Sequence, residues 1–241
     1  SNTSYPFLRN LLLKSRMLFN IESNITKKNC NSFIKELFTL NDKPKVLVIG
    51  SGEKGSGSRC LWSHKDIEIH GTDVYATESV DFISDAHYLP LESNYYDGVW
   101  IQAVLEHVVD PRLVVNEIHR VLKKDGFVYA ETPFMQQVHE GAYDFTRYTV
   151  LGHRYLFKNF TSVKIGGNGG ADVVLKWSIR YFFWSIFRNN IVGRFFSLFF
   201  TSQCSLMLET WLCSFLKILR VSPFGLSVTL LRVFHHLGRK H

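Results

Sequence analysis

The chain has 241 residues, 46% of them apolar and 15% aromatic, enough for one sizeable core and too few for several large domains. Its net charge of +7 is lopsided: residues 173–241 carry nine Lys and Arg against the single acid Glu209, so the rest is close to neutral. Cys30, Cys60, Cys204 and Cys213 are scattered, with no CxxC and no His at ligand spacing; they fit neither a disulfide framework nor a zinc site and suggest a reducing compartment.

Residues 5–20 set Tyr5, Phe7, Leu8, Leu11, Leu12 and Leu18 among Arg9, Lys14 and Arg16, the pattern of a basic amphipathic helix. A second helix is predicted over 32–40, and Asn41-Asp42-Lys43-Pro44 breaks the chain after it. Short apolar runs predict strands at 46–49, 67–69, 80–84, 98–101, 127–131 and 161–165. Asp110, a good N-cap followed by Pro111, opens a helix with the stripe Leu113, Val114, Ile118, Val121 and Leu122, and Gly126 is its expected stop. Strands alternating with helices imply an α/β fold whose parallel sheet is covered on both faces.

After Asp172 the character changes: Trp177, Tyr181, Phe182, Phe183, Trp184 and Phe187 begin a long aromatic region punctuated by arginines. Its longest charge-free piece, residues 195–208, has fourteen residues, short of the roughly 20 that span a bilayer. Helices lying on a membrane surface fit this mixture, and a sheet-covering or homo-oligomer interface is the alternative. The predicted organisation is an N-terminal helical cap over 1–43, a cofactor-binding domain over 44–171, and a basic, aromatic-rich helical extension over 172–241.

The first chemical signal lies in residues 45–85. An apolar strand runs into Gly50-Ser51-Gly52-Glu53-Lys54-Gly55, where glycines let the backbone turn sharply and approach a ligand. Asp73, about 20 residues further on at the end of a second strand, is placed to accept hydrogen bonds from ribose hydroxyls. Such a loop serves dinucleotide dehydrogenases and methyltransferases alike. The motifs downstream separate them: Asp85-Ala86-His87-Tyr88-Leu89-Pro90, then Tyr95-Tyr96-Asp97-Gly98-Val99-Trp100, then Ala103-Val104-Leu105-Glu106-His107-Val108, then Arg120-Val121-Leu122-Lys123-Lys124-Asp125-Gly126 before a fifth strand.

In this order and spacing the chain resembles the class I S-adenosylmethionine-dependent methyltransferases, specifically the type 11 group, over about residues 44–150. The resemblance implies a Rossmann-like, doubly wound, mostly parallel sheet and S-adenosyl-L-methionine as cofactor. It assigns Gly50, Ser51, Gly52 and Gly55 to the loop under the methionine and ribose parts, and Asp73 with Val74 to the ribose. It gives Asp85 to the adenine amino group, the Ala86 amide to the ring, and Gln102 to the neighbourhood of the sulfonium. Val48 stands where the family usually has an acid that orders the loop, and Glu53 is the expected substitute.

Loops at the C-terminal ends of the strands form the site in an open α/β sheet. Here the fifth strand is followed by Glu131-Thr132-Pro133-Phe134 and then by Val138-His139-Glu140-Gly141-Ala142-Tyr143-Asp144-Phe145-Thr146-Arg147-Tyr148-Thr149. This resembles a His-Glu…Asp…Arg-Tyr-Thr pattern of type 11 methyltransferases associated with bacterial polysaccharide and glycan modification. Methyl transfer to a hydroxyl requires alignment and removal of a proton. His139 is the expected catalytic base, because an imidazole's ordinary pKa lies near neutrality. His107, Tyr143, Asp144, Arg147 and Tyr148 are the expected substrate residues, with an Asp144–Arg147 salt bridge that fixes the loop as the alternative. Glu106 with His107 is a further pair for orienting substrate or holding a divalent ion, and no metal is assigned.

The expected enzyme is an O-methyltransferase acting on a small-molecule saccharide or lipid-linked glycan, cytoplasmic and peripheral to the inner face of a membrane. A quinone or other polyprenyl acceptor, or a non-catalytic membrane-docked scaffold, are the alternatives. Nucleic acid is not the expected partner, because the positive charge lies among Phe and Trp in apolar sequence and not in a polar groove.

Overall fold

A computed structural model describes residues 24–139, 141–168, 171–186 and 233–240. The amphipathic segment 5–20 and most of the aromatic extension, 187–232, lie outside the described residues. The chain divides into two compact units, and α5 (Ala171–Ile186) falls in one while every other described element falls in the other. That larger unit contains α1 (Asn24–Leu40), β1 (Lys45–Ile49), α2 (Arg59–Trp62), β2 (Glu68–Asp73), β3 (Phe82–Ile83) and β4 (Tyr96–Gln102). It continues through α3 (Pro111–Val121), β5 (Leu122–Glu131), α4 (Val150–Leu156), β6 (Phe160–Gly167) and β7 (Val233–Lys240).

The strands form one seven-stranded sheet in the order β3-β2-β1-β4-β5-β7-β6. β1 through β5 pair in parallel, while β7 runs antiparallel to both β5 and β6. This is the doubly wound, mostly parallel sheet expected from the alternating pattern. The strand reversal between β1 and β4 opens the crevice in which such sheets bind ligands.

Period-2 alternation fills both faces. Leu47, Ile49, Val99, Ile101, Val128 and Ala130 point to the face covered by Val114, Val115, Ile118 and Val121 of α3. Val46, Val48, Trp100, Phe127 and Tyr129 point to the other, against Cys30, Phe33, Ile34 and Leu37 of α1. Trp100 stacks on Tyr129 with ring centroids 3.8 Å apart, and Phe33 meets Trp100 edge-on at 5.6 Å. Gly98 lets α1 come this close: a Cβ there would stand 2.6 Å from Leu37 Cδ2 and 2.9 Å from Phe33 Cζ.

Local structure departs from the sequence expectations in three places. α3 starts as read, with Asp110 accepting from the Arg112 amide and Pro111 at the first helical position. It ends at Val121, however, and β5 begins at the next residue, pairing Leu122 with Tyr96. Gly126 therefore lies within a strand irregularity after Asp125, whose φ is 63°, and does not stop the helix. α1 starts eight residues earlier than the predicted 32–40, at Asn24. Finally, residues 233–240, read as the end of a helical extension, form β7 between β5 and β6.

Gly98→Ala should lower stability by about 1–3 kcal/mol, the usual cost of forcing extra volume into a packed core. Urea unfolding of the two proteins measures it. An unchanged midpoint would mean that α1 is not pressed against β4 as described.

Candidate active site

The loops after β1 and β4 meet at one point. Gly50 leaves β1 with φ 75°, the left-handed region that glycine enters without strain. A Cβ on it would lie 2.2 Å from Val104 Cγ2, so the loop after β4 sits directly on this turn. The Gly50 and Ser51 amides donate to the Thr72 carbonyl at 2.9 and 3.1 Å, joining the turn to the end of β2. Asp73 Oδ2 accepts from the Gly52 amide at 2.8 Å, and Oδ1 accepts from the Val74 amide at 2.7 Å. A carboxylate has about four lone-pair positions; Asp73 thus orders the loop and retains capacity for hydroxyl donors.

Val48 is buried with Trp100 and Tyr129, and Glu53 is exposed. The loop amide is held by Asp73, the role the sequence reading had offered to Glu53. At Gly55 a Cβ would make ordinary van der Waals contact with Gln102 Oε1 at 3.6 Å, so the loop and the end of β4 lie side by side there. This glycine cradle, closed by an acid at the end of β2 and Gln102 at the end of β4, fits an adenosine-bearing cofactor with no pyrophosphate.

Asp85 follows β3 and keeps a side chain that is 62% exposed. Its Oδ1 accepts from the His87 amide at 2.9 Å and from His87 Nδ1 at 2.5 Å. These donors, the amide first, hold its carboxyl below the ordinary range. His87 Nε2 accepts from the Asp110 amide at 3.1 Å, so the imidazole proton sits on Nδ1. His87 thereby braces the Asp85 loop against the start of α3. Glu117 and Arg120 brace it again: Glu117 Oε2 accepts from the Leu89 amide at 2.8 Å, and Arg120 donates to the Leu89 and Leu91 carbonyls. Ala86, between them, is buried.

The other half of the site comes from the loops after β4 and β5. The Glu106 carbonyl accepts from the Phe145 and Thr146 amides at 2.8 and 3.3 Å, and Thr146 Oγ1 donates to the Leu105 carbonyl at 3.2 Å. His107 Nδ1 lies 2.5 Å from the Tyr143 carbonyl, and His139 Nδ1 lies 3.1 Å from the Gln137 carbonyl. A carbonyl only accepts, so both imidazoles carry a proton on Nδ1. Their rings meet edge-to-face with centroids 4.8 Å apart. Glu106 is fully buried beside them, with Oε1 3.8 Å from His107 Nε2.

Asp144 and Arg147 lie in the loop before α4, where Thr149 is the N-cap. The Asp144 side chain is 1% exposed. Both of its oxygens accept from the Arg147 guanidinium, and Oδ2 also accepts from the His139 amide at 2.8 Å. Arg147 in turn donates to the Gln136, Gln137 and Thr146 carbonyls. Of the two expected roles, this geometry gives the pair the second: a clamp that sets the backbone of His139. The guanidinium holds the Asp144 carboxyl down at about 2. Tyr143 is 68% exposed beside the histidines, and Tyr148 is half-buried, which raises its phenol pKa. Glu140 lies outside the described residues. The sequence reading did not single out Val104, His87 or Gln137; of these only His87, two residues after Asp85, had a local signal.

Residues 47–130 match the family described as "Methyltransferase domain". Solved structures share the fold. The assigned sarcosine dimethylglycine methyltransferase of Galdieria sulphuraria is 17% identical, covering 89% of this chain and 85% of its own, with a TM-score of 0.55. MccD protein is 16% identical over 92% of this chain and 100% of its own, with a TM-score of 0.56. The [4+2]-cyclase SpnF is 16% identical over 77% and 76%, with a TM-score of 0.51. No curated protein sequence matches the chain.

The low Asp144 pKa makes the clamp's contribution to stability complete above the unfolded carboxyl value of about 3.9 and lost as pH falls through about 2. In an NMR titration, the Asp144 carboxyl of Arg147→Gln should move up toward the ordinary range, and the His139 amide should lose protection at higher pH than in the parent chain. A midpoint unmoved by the substitution would show that Arg147 is not what holds it down.

Proposed function

We propose that this chain, an S-adenosylmethionine-dependent methyltransferase, transfers its methyl to a hydroxyl of a saccharide or lipid-linked glycan at a membrane surface. The observation that carries the reading is the Gly50–Val104 contact, which joins the cofactor loop to the loop bearing Glu106 and His107. The bound cofactor supplies an electrophilic methyl group on a sulfonium. Gly50, Ser51, Gly52, Gly55, Asp73, Val74, Asp85, Ala86 and Gln102 are the residues to hold it.

The acceptor enters between the loops after β4 and β5. His139, with its proton on Nδ1 donated to Gln137, offers Nε2 as the base that takes the hydroxyl proton. The Asp144–Arg147 clamp fixes the backbone from which that imidazole projects. The exposed Tyr143 ring is a surface on which a sugar face can stack. Exposed Val109 and Val138, on the same two loops, favour a second reading in which the acceptor is a quinone or another polyprenyl compound.

The surface location is proposed from the charge of residues 173–241 and from α5. Leu175, Phe182 and Ile186 are exposed at spacings that put them on one side of that helix. Among the described residues no helix is long and apolar enough to cross a membrane. The cytoplasmic side is proposed from the scattered cysteines, which suit a reducing compartment.

Two substitutions separate binding from chemistry. Asp73→Ala should weaken S-adenosylhomocysteine binding at least tenfold in calorimetry, about 1.5–3 kcal/mol for a lost charged hydrogen bond. His139→Ala should leave that affinity within about twofold and lower methyl transfer by on the order of 10²–10⁴. Undiminished turnover in the His139 variant would remove the base assignment.

The chain should also float with vesicles of anionic phospholipid at low salt, and the bound fraction should fall without vanishing as salt rises. Each Lys or Arg near such a surface contributes about 1 kcal/mol that salt screens, whereas apolar burial persists. A chain that stays in the soluble fraction at low salt is not docked there.

A further inference from the structure

The geometry points to a site for a zinc-class divalent ion formed by Glu106, His107 and His139, with open coordination positions for an acceptor oxygen. Among the described residues these three form the one such group, each offering a ligand atom within 4.8 Å of the others. Sequence spacing hides it, because Glu106 and His107 follow β4 while His139 arrives from the loop after β5.

Three features carry the assignment. Each imidazole has its Nδ1–H committed to a backbone carbonyl, Tyr143 for His107 and Gln137 for His139. That is the outer-shell arrangement that fixes a metal-binding histidine and leaves Nε2 as the ligand atom. The gap from His107 Nε2 to Glu106 Oε1 is 3.8 Å, too wide for a hydrogen bond but close to what a bridging ion needs. Two ligands at tetrahedral angles and about 2.1 Å from zinc lie about 3.4 Å apart. Contraction of at most about 1.4 Å from the observed 4.8 Å limit completes the set. Lastly, Glu106 is fully buried, and an ion beside it offsets the desolvation of its charge. Two histidines and one glutamate leave at least one position open, the donor set of a zinc site that binds a water or substrate oxygen.

The ion's role, though not its binding, rests on the methyl-transfer reading. With the site empty of metal, His139 is the base described above. With an ion bound, His139 is a ligand; the acceptor hydroxyl binds to the ion, its acidity rises, and its proton leaves to water. The oxygen then attacks the methyl carbon as the carbon–sulfur bond breaks, and the electron pair of that bond stays on sulfur.

Cobalt(II) titration of the untagged, chelator-treated chain tests the site without any acceptor. One cobalt per chain should bind, with visible d–d absorption, and zinc should displace it. His107→Ala and His139→Ala should each weaken cobalt binding at least tenfold. Glu106→Gln should do the same, provided that its circular dichroism and S-adenosylhomocysteine binding match the parent chain. Absence of d–d bands, or bands that survive both histidine substitutions, overturns the site. Cobalt binding without methyl transfer leaves the site standing and removes the acceptor reading. Full methyl transfer in excess chelator, with no cobalt bound, does the reverse.

Discussion

The contact between Gly50 and Val104 is the constraint on which the rest of the site depends. With 2.2 Å between Val104 Cγ2 and the place a side chain would start, nothing larger than glycine fits without displacing the loop after β4. Because Glu106 and His107 lie two and three residues after Val104, their position over the crevice is inherited from a turn made more than fifty residues earlier. The loop after β5 is then laid against them by the hydrogen bonds from Phe145 and Thr146 to the Glu106 carbonyl. A crevice between β1 and β4 becomes a site with a nucleotide-facing half and a histidine-bearing half.

Much of this arrangement was legible in the residues because the local signals and the tertiary structure agree. Asp110 with Pro111 starts α3 as its capping chemistry requires, and the apolar runs at 46–49 and 98–101 are central strands buried on both faces. The failures occur where long-range pairing overrides local pattern. Lys123, Lys124, Asp125 and Gly126 read as a helix stop. Yet Leu122 already pairs with Tyr96, and Asp97 reaches Lys123 Nζ at 2.9 Å, pulling the chain into the sheet. Residues 233–240 carry His, Arg and Lys in a segment with no clear alternation, and their strand exists because β5 and β6 each offer an edge.

At the site, residue types were legible and partners were not. Asp144 and Arg147 were readable as a pair, but burial, which no spacing reveals, decides that the carboxylate faces a guanidinium and a backbone amide. In the same way, the sequence showed His139 as a chemically useful residue without showing that His107 and Glu106 stand beside it. Local sequence identifies donors and acceptors; convergence of separate loops decides which of them act together.

The placement of β7 bears on how the chain folds. Among the described residues β6 is joined to the sheet only through β7, and each β5–β7 pairing closes a loop of more than a hundred residues. β1 through β5 can pair before β7 is in place, and until then β5 presents an open edge. Such an edge is a template for pairing with another chain, and long-range closure of this kind is slow. Until residues 233–240 pair with it, the folding chain therefore carries an aggregation hazard at β5 that closure of the sheet removes.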